Sequence, residues 1–263
     1  MAAQEEAPGS TKIFVEAKEA TRFVEAILSG NGVPAENAAI VAKYLVAADL
    51  RGVDTHGINR IPSYMERIRQ GVLNPAAQPQ LCQVTPVVAH VDGQNGFGFI
   101  YKAKRRGEKI PLDWALDAEG RPTDDPEAAL GGVMLPMGGP KGSALSIMMD
   151  VFSGALSGSA FAGGVTNPYD PSKPADVGHF LMAIKPDLFM SLEDFRARMQ
   201  HLYDRVVGSE KAAGVERIYF PGEIEQLTQE ERGKTGIPFV GAEIEALNEE
   251  AARVGAELMV TET

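Results

Sequence analysis

His56 stands in the string Leu50-Arg51-Gly52-Val53-Asp54-Thr55-His56-Gly57-Ile58-Asn59-Arg60. An imidazole is well matched to giving a proton to a carbonyl near neutral pH. Gly52 and Gly57 bracket it, so the backbone is shaped there and the ring can project into a cleft. Arg60 follows four residues later, and on a helical turn the two side chains share a face. A guanidinium holds a carboxylate in bidentate fashion. His56 and Arg60 therefore read as a 2-oxo-acid site, one group protonating the carbonyl and the other orienting the acid. Thr55 can hydrogen-bond to the ring and orient it. The same residues also allow a plainer reading, in which Asp54 or Thr55 caps a helix beside a solvated histidine and a surface arginine.

A second string is Gly138-Gly139-Pro140-Lys141-Gly142-Ser143. Its glycines leave amides open at the start of a helix and Lys141 adds charge, which suits a phosphate or a carboxylate. A tight loop that needs glycine for close packing fits equally well. Other chemistries find less support. No histidine pair has the i, i+4 spacing of a helix metal site, so no metal is expected. His90 and His179 lie in strand-like runs and His201 on a helix, where packing or surface roles are the better reading. No G-x-G-x-x-G follows a strand, which speaks against a Rossmann nucleotide site. No G-x-S-x-G elbow supports serine hydrolysis. Lys102, Lys104, Arg105, Arg106 and Lys109 read as a solvated face.

The elements that must position these groups follow from periodicity. Residues 1–11 read as a flexible lead and 13–15 as a short apolar run. Helices are expected over about 16–28, with Phe23, Val24, Ile27 and Leu28 on one face, and from Pro34 to about 50, with Ala38, Val41, Ala42, Leu45 and Val46 inward. A third is expected over about 62–70. Residues 83–85 and 87–91 read as strands, closed by the turn string Asp92 to Gly96. The abrupt passage from Gly-Phe-Gly-Phe-Ile to a cluster of basic residues marks a seam near Phe99-Ile100. Residues 111–130 read as an ordered surface loop. A helix over about 141–156 is apolar almost all round, so it should be buried. Residues 179–184 read as a buried strand and 217–220 as another. Ser191 with Asp194 caps a helix to about Val207, with Phe195, Met199, Leu202 and Val206 inward. A last helix runs over about 241–254.

The 263 residues are 44% hydrophobic and 23% charged, enough for a globular core without disulfides. The net charge of −11 disfavours nucleic acid as a partner. No apolar run of about eighteen residues predicts a membrane span, and the acidic N-terminus lacks a secretory signal's hydrophobic stretch. The single cysteine, Cys82, fits a reducing compartment, and a cytoplasmic location is the expectation.

Several long strings together resemble the malate/L-lactate dehydrogenase family, whose relatives include ureidoglycolate, sulfolactate and diketogulonate oxidoreductases and which is distinct from the Rossmann lactate dehydrogenases. They are AADLRGVDTHGINRIPSYMERIRQGVLNP, VDGQNGFG, IPLDWALDAEGRPTDDPEAALGG, GGPKGSALSIMMDVFSGALSG and RIYFPGE, in the family's order. The resemblance implies an α/β, mixed-sheet, non-Rossmann fold and NAD- or NADP-dependent interconversion of a small 2-hydroxy acid and 2-oxo acid by a homodimer. It divides the chain into a helical segment over 1–78, a shortened cofactor and substrate domain over 79–190 and a C-terminal helical segment over 191–263. It implies that Thr55 and His56 are catalytic, with His56 the proton donor, and that Arg60 binds substrate. It places cofactor contacts at Lys141 and Gly142 and at Pro221, Gly222 and Glu223. The family carries a domain-sized segment between the GQNGFG turn and the IYKAKRRGEKIP stretch, including Asn-His-Phe-Gly and Asp-Met-Ala-Thr strings that this chain lacks. The chain thus resembles an internally shortened member, interrupted near residues 98–101. The alternatives are a non-catalytic homologue that serves as a dimerisation partner, or a product without a stable fold.

Overall fold

The computed structural model describes residues 12–77, 81–85, 88–91, 109–136, 138–167 and 170–259, with the backbone alone over 81–85 and 88–91. The lead, the turn over 92–96, the seam and the cluster Lys102 to Arg106 lie outside these residues.

The two ends of the chain build one core. Strand β1 (Ile13–Val15) leads into α1 (Ala17–Gly30), which buries Ala20, Phe23, Val24, Ile27 and Leu28, the spacing of one helical face. Asn31 closes α1 by donating from Nδ2 to the Ile27 carbonyl at 2.9 Å, and Gly32 turns the chain at a φ of +87°. Helix α2 (Ala35–Leu50) enters behind Pro34 and buries Ala38, Ala42, Leu45, Val46 and also Asp49. Two short 3₁₀ turns, Asp54–His56 and Ile58–Arg60, carry the chain into α3 (Ile61–Arg69). The far end of the chain returns to cover this unit. A late strand (Ile237–Phe239) pairs antiparallel with β1, Ile13 facing Phe239 and Val15 facing Ile237. The helix over Gly241–Arg253 seats Ile244, Leu247 and Ala251 against the same cluster. Each large apolar side chain buried this way stabilises the fold by about 1.5–3 kcal/mol. Arg69 ties that last helix to α3 through a bidentate pair with Glu250, at 2.6 and 3.0 Å.

The middle of the chain is built from small pieces. β2 (Leu81–Thr85) and β3 (Val88–Val91) form an antiparallel pair with Cys82 opposite His90. β4 (Ala115–Leu116) and β5 (Val133–Met134) form another, and α4 (Pro126–Leu130), capped by Asp125, helps enclose Ile110, Ala115 and Ala129. Helix α5 (Pro140–Asp150) continues as a π-helical turn, Val151–Ala155. After it come α6 (Leu192–Val207), α7 (Glu223–Thr235), the late strand as β6 and the last helix as α8. Ser191 accepts from the Asp194 amide at 3.1 Å, the expected cap of α6.

Four expectations need correction. The helix over 141–156 forms, but α5 buries no residue, and Leu145, Ile147, Met148 and Met149 are exposed. Residues 179–184 and 217–220 pair with no strand among the described residues, and Leu181 is 84% exposed. The inward face of α6 is open, with Met199 and Leu202 exposed and Phe195 and Val206 half-buried. The expected mixed sheet is absent among the described residues, whose sheets are three two-stranded antiparallel pairs. The first three share a cause. These segments have the composition of a buried layer, and no described element covers them. Phe152 stacks on Phe180 at 4.8 Å within that surface.

Candidate active site

His56 ends the first of the two 3₁₀ turns, and Thr55 beside it is buried. Thr55 Oγ1 lies 2.9 Å from His56 Nδ1, which fixes one edge of the imidazole and turns Nε2 away from the threonine. His56 is exposed. Partial burial and the nearby Arg60 guanidinium push the imidazole below the usual histidine range. Arg60 is 1% exposed, and its Nε donates to the Thr55 carbonyl at 2.8 Å. The structure therefore brings Thr55, His56 and Arg60 together, with Arg60 beneath the turn.

The turn is held from three sides by residues that the sequence reading passed over. From α2, Asp49 Oδ2 accepts from the Ile58 amide at 2.7 Å. From α7, Arg232 Nη1 donates to Asp54 Oδ1 and to the Asp49 carbonyl. From α8, Glu243 Oε1 accepts from Asn59 Nδ2 at 3.0 Å. Burial pushes the Asp49 carboxyl well above the carboxylate range, with Asp54 and Glu243 acting the same way and the Ile58 amide and Arg232 opposing. A signal for Asp49 was present in the sequence. It falls four residues after Leu45 and three after Val46, so the apolar face of α2 carries a carboxyl.

Pro221, Gly222 and Glu223 open α7, where Gly222 has a φ of +91° that favours glycine. With Tyr203, Phe220, Gln226 and Leu227 they line a cleft of about 450 Å³. The Tyr203 and Phe220 rings stand 5.5 Å apart. Glu223 accepts from the Phe220 amide at 3.0 Å and pairs with Arg217. A second cleft of about 640 Å³ shares Gly222 and Gln226 and is lined further by Arg51, Glu225, Gln229 and Glu230. It reaches from the start of α7 to the end of α2, where Arg51 Nε donates to Gln229 Oε1 at 3.2 Å. The aromatic wall offers a stacking surface. The helix start offers amides to an anion, and the glutamates offer acceptors for hydroxyl groups. Lys141 and Gly142 lie in the first turn of α5, and neither lines these clefts. Among the described residues no group of three or more His, Cys, Asp or Glu is placed to hold a metal ion.

The chain matches the family described as Malate/L-lactate dehydrogenase over residues 15–101 and 98–248. It is 29% identical to a malate dehydrogenase of Pyrococcus abyssi over 339 aligned residues, covering 89% of this chain and 93% of that one. It is 27% identical to an L-sulfolactate dehydrogenase of Methanothermobacter thermautotrophicus, covering 84% and 91%. The structure superposes on that of a malate dehydrogenase from Pyrococcus horikoshii with a TM-score of 0.79 at 29% identity, covering 96% of this chain and 99% of that one. The two matched pieces meet at residues 98–101. The aligned span of 339 residues exceeds the 263 of this chain, so the relative holds residues that have no counterpart here.

Proposed function

The chain belongs to the malate/L-lactate dehydrogenase family, and on that premise we propose that it interconverts a small 2-hydroxy acid and its 2-oxo acid with NAD or NADP. The observation that carries this reading is the constellation of Thr55, His56 and Arg60 on two consecutive 3₁₀ turns, with Thr55 Oγ1 at 2.9 Å from His56 Nδ1 and Arg60 Nε at 2.8 Å from the Thr55 carbonyl. In the reducing direction the imidazolium donates Nδ1–H to Thr55 Oγ1 and gives its Nε2 proton to the carbonyl oxygen. The neutral ring that remains can take the proton back in the reverse direction. The low affinity of His56 for its proton eases that transfer. Arg60 would supply the cation for the substrate carboxylate, a role that requires its guanidinium, buried here beneath the turn, to open to the site.

The clefts at the head of α7 suit a dinucleotide. Tyr203 and Phe220 would take a base or nicotinamide ring against their faces, Gly222 and the α7 amides a phosphate, and Glu225 and Glu230 the ribose hydroxyls. Lys141 and Gly142, outside both clefts, stand as cofactor contacts on the family resemblance alone. When bound, the nicotinamide supplies or accepts the hydride at the substrate's C2. The shape of the family match also supports an internal shortening between about residues 98 and 101 relative to the full-length relatives. We further infer a cytoplasmic homodimer. Among the described residues no helix is long and apolar enough to cross a membrane.

Titration of the purified chain with NADH and NADPH, read by nucleotide fluorescence, tests the reading, followed by assays with oxaloacetate, pyruvate and sulfopyruvate. Saturable binding and turnover are expected, and no binding at millimolar nucleotide would overturn catalysis by this chain. The exposed apolar face of α5 favours a second reading, a non-catalytic partner that pairs with a full-length homologue. Co-expression and native mass spectrometry separate the two, because mixed dimers without nucleotide binding are the mark of the second.

A further inference from the structure

Asp49 is wholly buried at the last turn of α2, directly under the turn that carries His56. Its two oxygens meet different constraints. Oδ2 takes the Ile58 amide at 2.7 Å. Oδ1 is buried without a hydrogen-bond partner among the described residues, and it rests against Gly57. A β-carbon at Gly57 would stand 1.7 Å from Oδ1 and 2.0 Å from Cγ, well inside contact distance. The residue after His56 thus has no side chain because the Asp49 carboxyl occupies that space. Gly57 has a φ of −89°, which any residue adopts, so backbone strain is not its reason for being glycine. The Asp49 main chain is fixed too, since its carbonyl accepts from Arg232, which holds Asp54 at the other end of the turn.

We propose that Asp49 is a positioning residue for His56: its buried carboxyl, wedged between the Ile58 amide and Gly57, sets the pose in which Thr55 holds the imidazole. The role rests on the reading of His56 as the proton donor. The carboxyl acts through the backbone on both sides of Gly57. It pins Ile58, where the second 3₁₀ turn begins, and its bulk sets how closely Gly57 approaches α2. A carboxyl buried with one unpartnered oxygen is costly to the fold. A chain that keeps one at this point spends stability on geometry, as functional sites commonly do.

The test uses the full chain labelled with ¹⁵N and reads the two His56 ring nitrogens by NMR, with a His56→Gln spectrum for assignment. In the wild type the Nδ1 and Nε2 shifts are expected to be well separated, the mark of one tautomer held by Thr55. In Asp49→Ala they converge toward the averaged values of a loose ring, and Ile58 amide exchange rises roughly tenfold or more. Asp49→Asn, which keeps an acceptor for Ile58, recovers the separated shifts. Unchanged ring shifts in a folded Asp49→Ala chain overturn the proposal even if Ile58 exchange rises, because Asp49 would then be structural only. If Asp49→Ala does not fold, Gly57→Ala takes its place. Its β-carbon displaces the carboxyl and must disturb the ring shifts in the same way, and unaltered shifts there overturn the proposal. Where the chain turns over a 2-oxo acid, kcat falls by roughly tenfold or more in Asp49→Ala while KM for the nucleotide stays within about twofold. Ring shifts that respond as expected in a chain that binds no nucleotide would sink the proposed activity and leave the positioning role standing.

Discussion

Replacing Arg232 with methionine removes the guanidinium that joins α7 to the site turn and keeps most of its apolar stem. Two contacts disappear, one to the Asp54 carboxylate and one to the Asp49 carbonyl. The side chains of Arg232 and Asp54 are only 16% and 12% exposed, so solvent screens the pair weakly. A hydrogen bond to a charged group contributes about 1.5–3 kcal/mol. Taking the lower end for each contact gives a loss of about 3 kcal/mol for Arg232→Met, or about a hundredfold in the folded-to-unfolded ratio. Asp54→Ala removes the first contact, which is worth about 1.5 kcal/mol. Because both variants remove that same contact, the double variant should fall short of the sum of the two losses by a coupling of about 1.5 kcal/mol. Urea denaturation of the four proteins, followed by far-ultraviolet circular dichroism, measures this directly. Additive losses, with a coupling below about 0.5 kcal/mol, would refute the idea that this pair anchors the turn.

Other outcomes follow from neighbouring groups. Arg69→Met leaves Glu250, with its side chain 7% exposed, only the more distant Arg253 at 3.9 Å and should cost about 3 kcal/mol, while Arg69→Met with Glu250→Gln recovers part of it; thermal melts report both. Asp49 binds its proton more tightly when folded, so the native state holds more protons than the unfolded chain above about pH 4. Its contribution to stability therefore falls as pH rises through that window, and Asp49→Asn should gain on the wild type from about pH 4 upward in urea midpoints taken across pH. His56 has the opposite sign, because folding weakens its hold on the proton. Stability should rise with pH up to about 6.5, a slope that His56→Ala flattens. As pH rises, kcat in the reducing direction should begin to fall before pH 6.5 is reached, because the imidazolium is lost early, and a flat profile there would argue against His56 as the donor.

The helical unit at the chain's start was legible because its apolar residues repeat at one period and its stops are glycines. Phe23, Val24, Ile27 and Leu28 are buried as their spacing required, and Met65 likewise on α3. The closeness of Thr55, His56 and Arg60 was legible because the three fall within six residues of sequence. What escaped were the contacts made across long stretches of sequence. Arg232 meets Asp54 from 178 residues away, and no local pattern announces it. Asp49 was hidden for another reason, since a carboxyl on an apolar face breaks the periodicity by which that face is recognised. The errors over α5 and residues 179–184 have a third origin. Composition records a segment's affinity for an apolar neighbour, and it cannot show that the neighbour is there.

The open face from α5 to Met190 gives the chain an opposed pair of forces in solution. Leu145, Ile147, Phe161, Leu181, Met182 and Phe189 favour contact between copies, while a net charge of −11 keeps copies apart. The repulsion reaches only about 10 Å at 0.1 M salt and about 3 Å at 1 M, whereas the apolar attraction is not screened. Added salt should therefore tip a dispersed solution toward clusters, and the chain should be most dispersed in dilute buffer. The acidic composition thus acts as a colloidal stabiliser for an exposed apolar face.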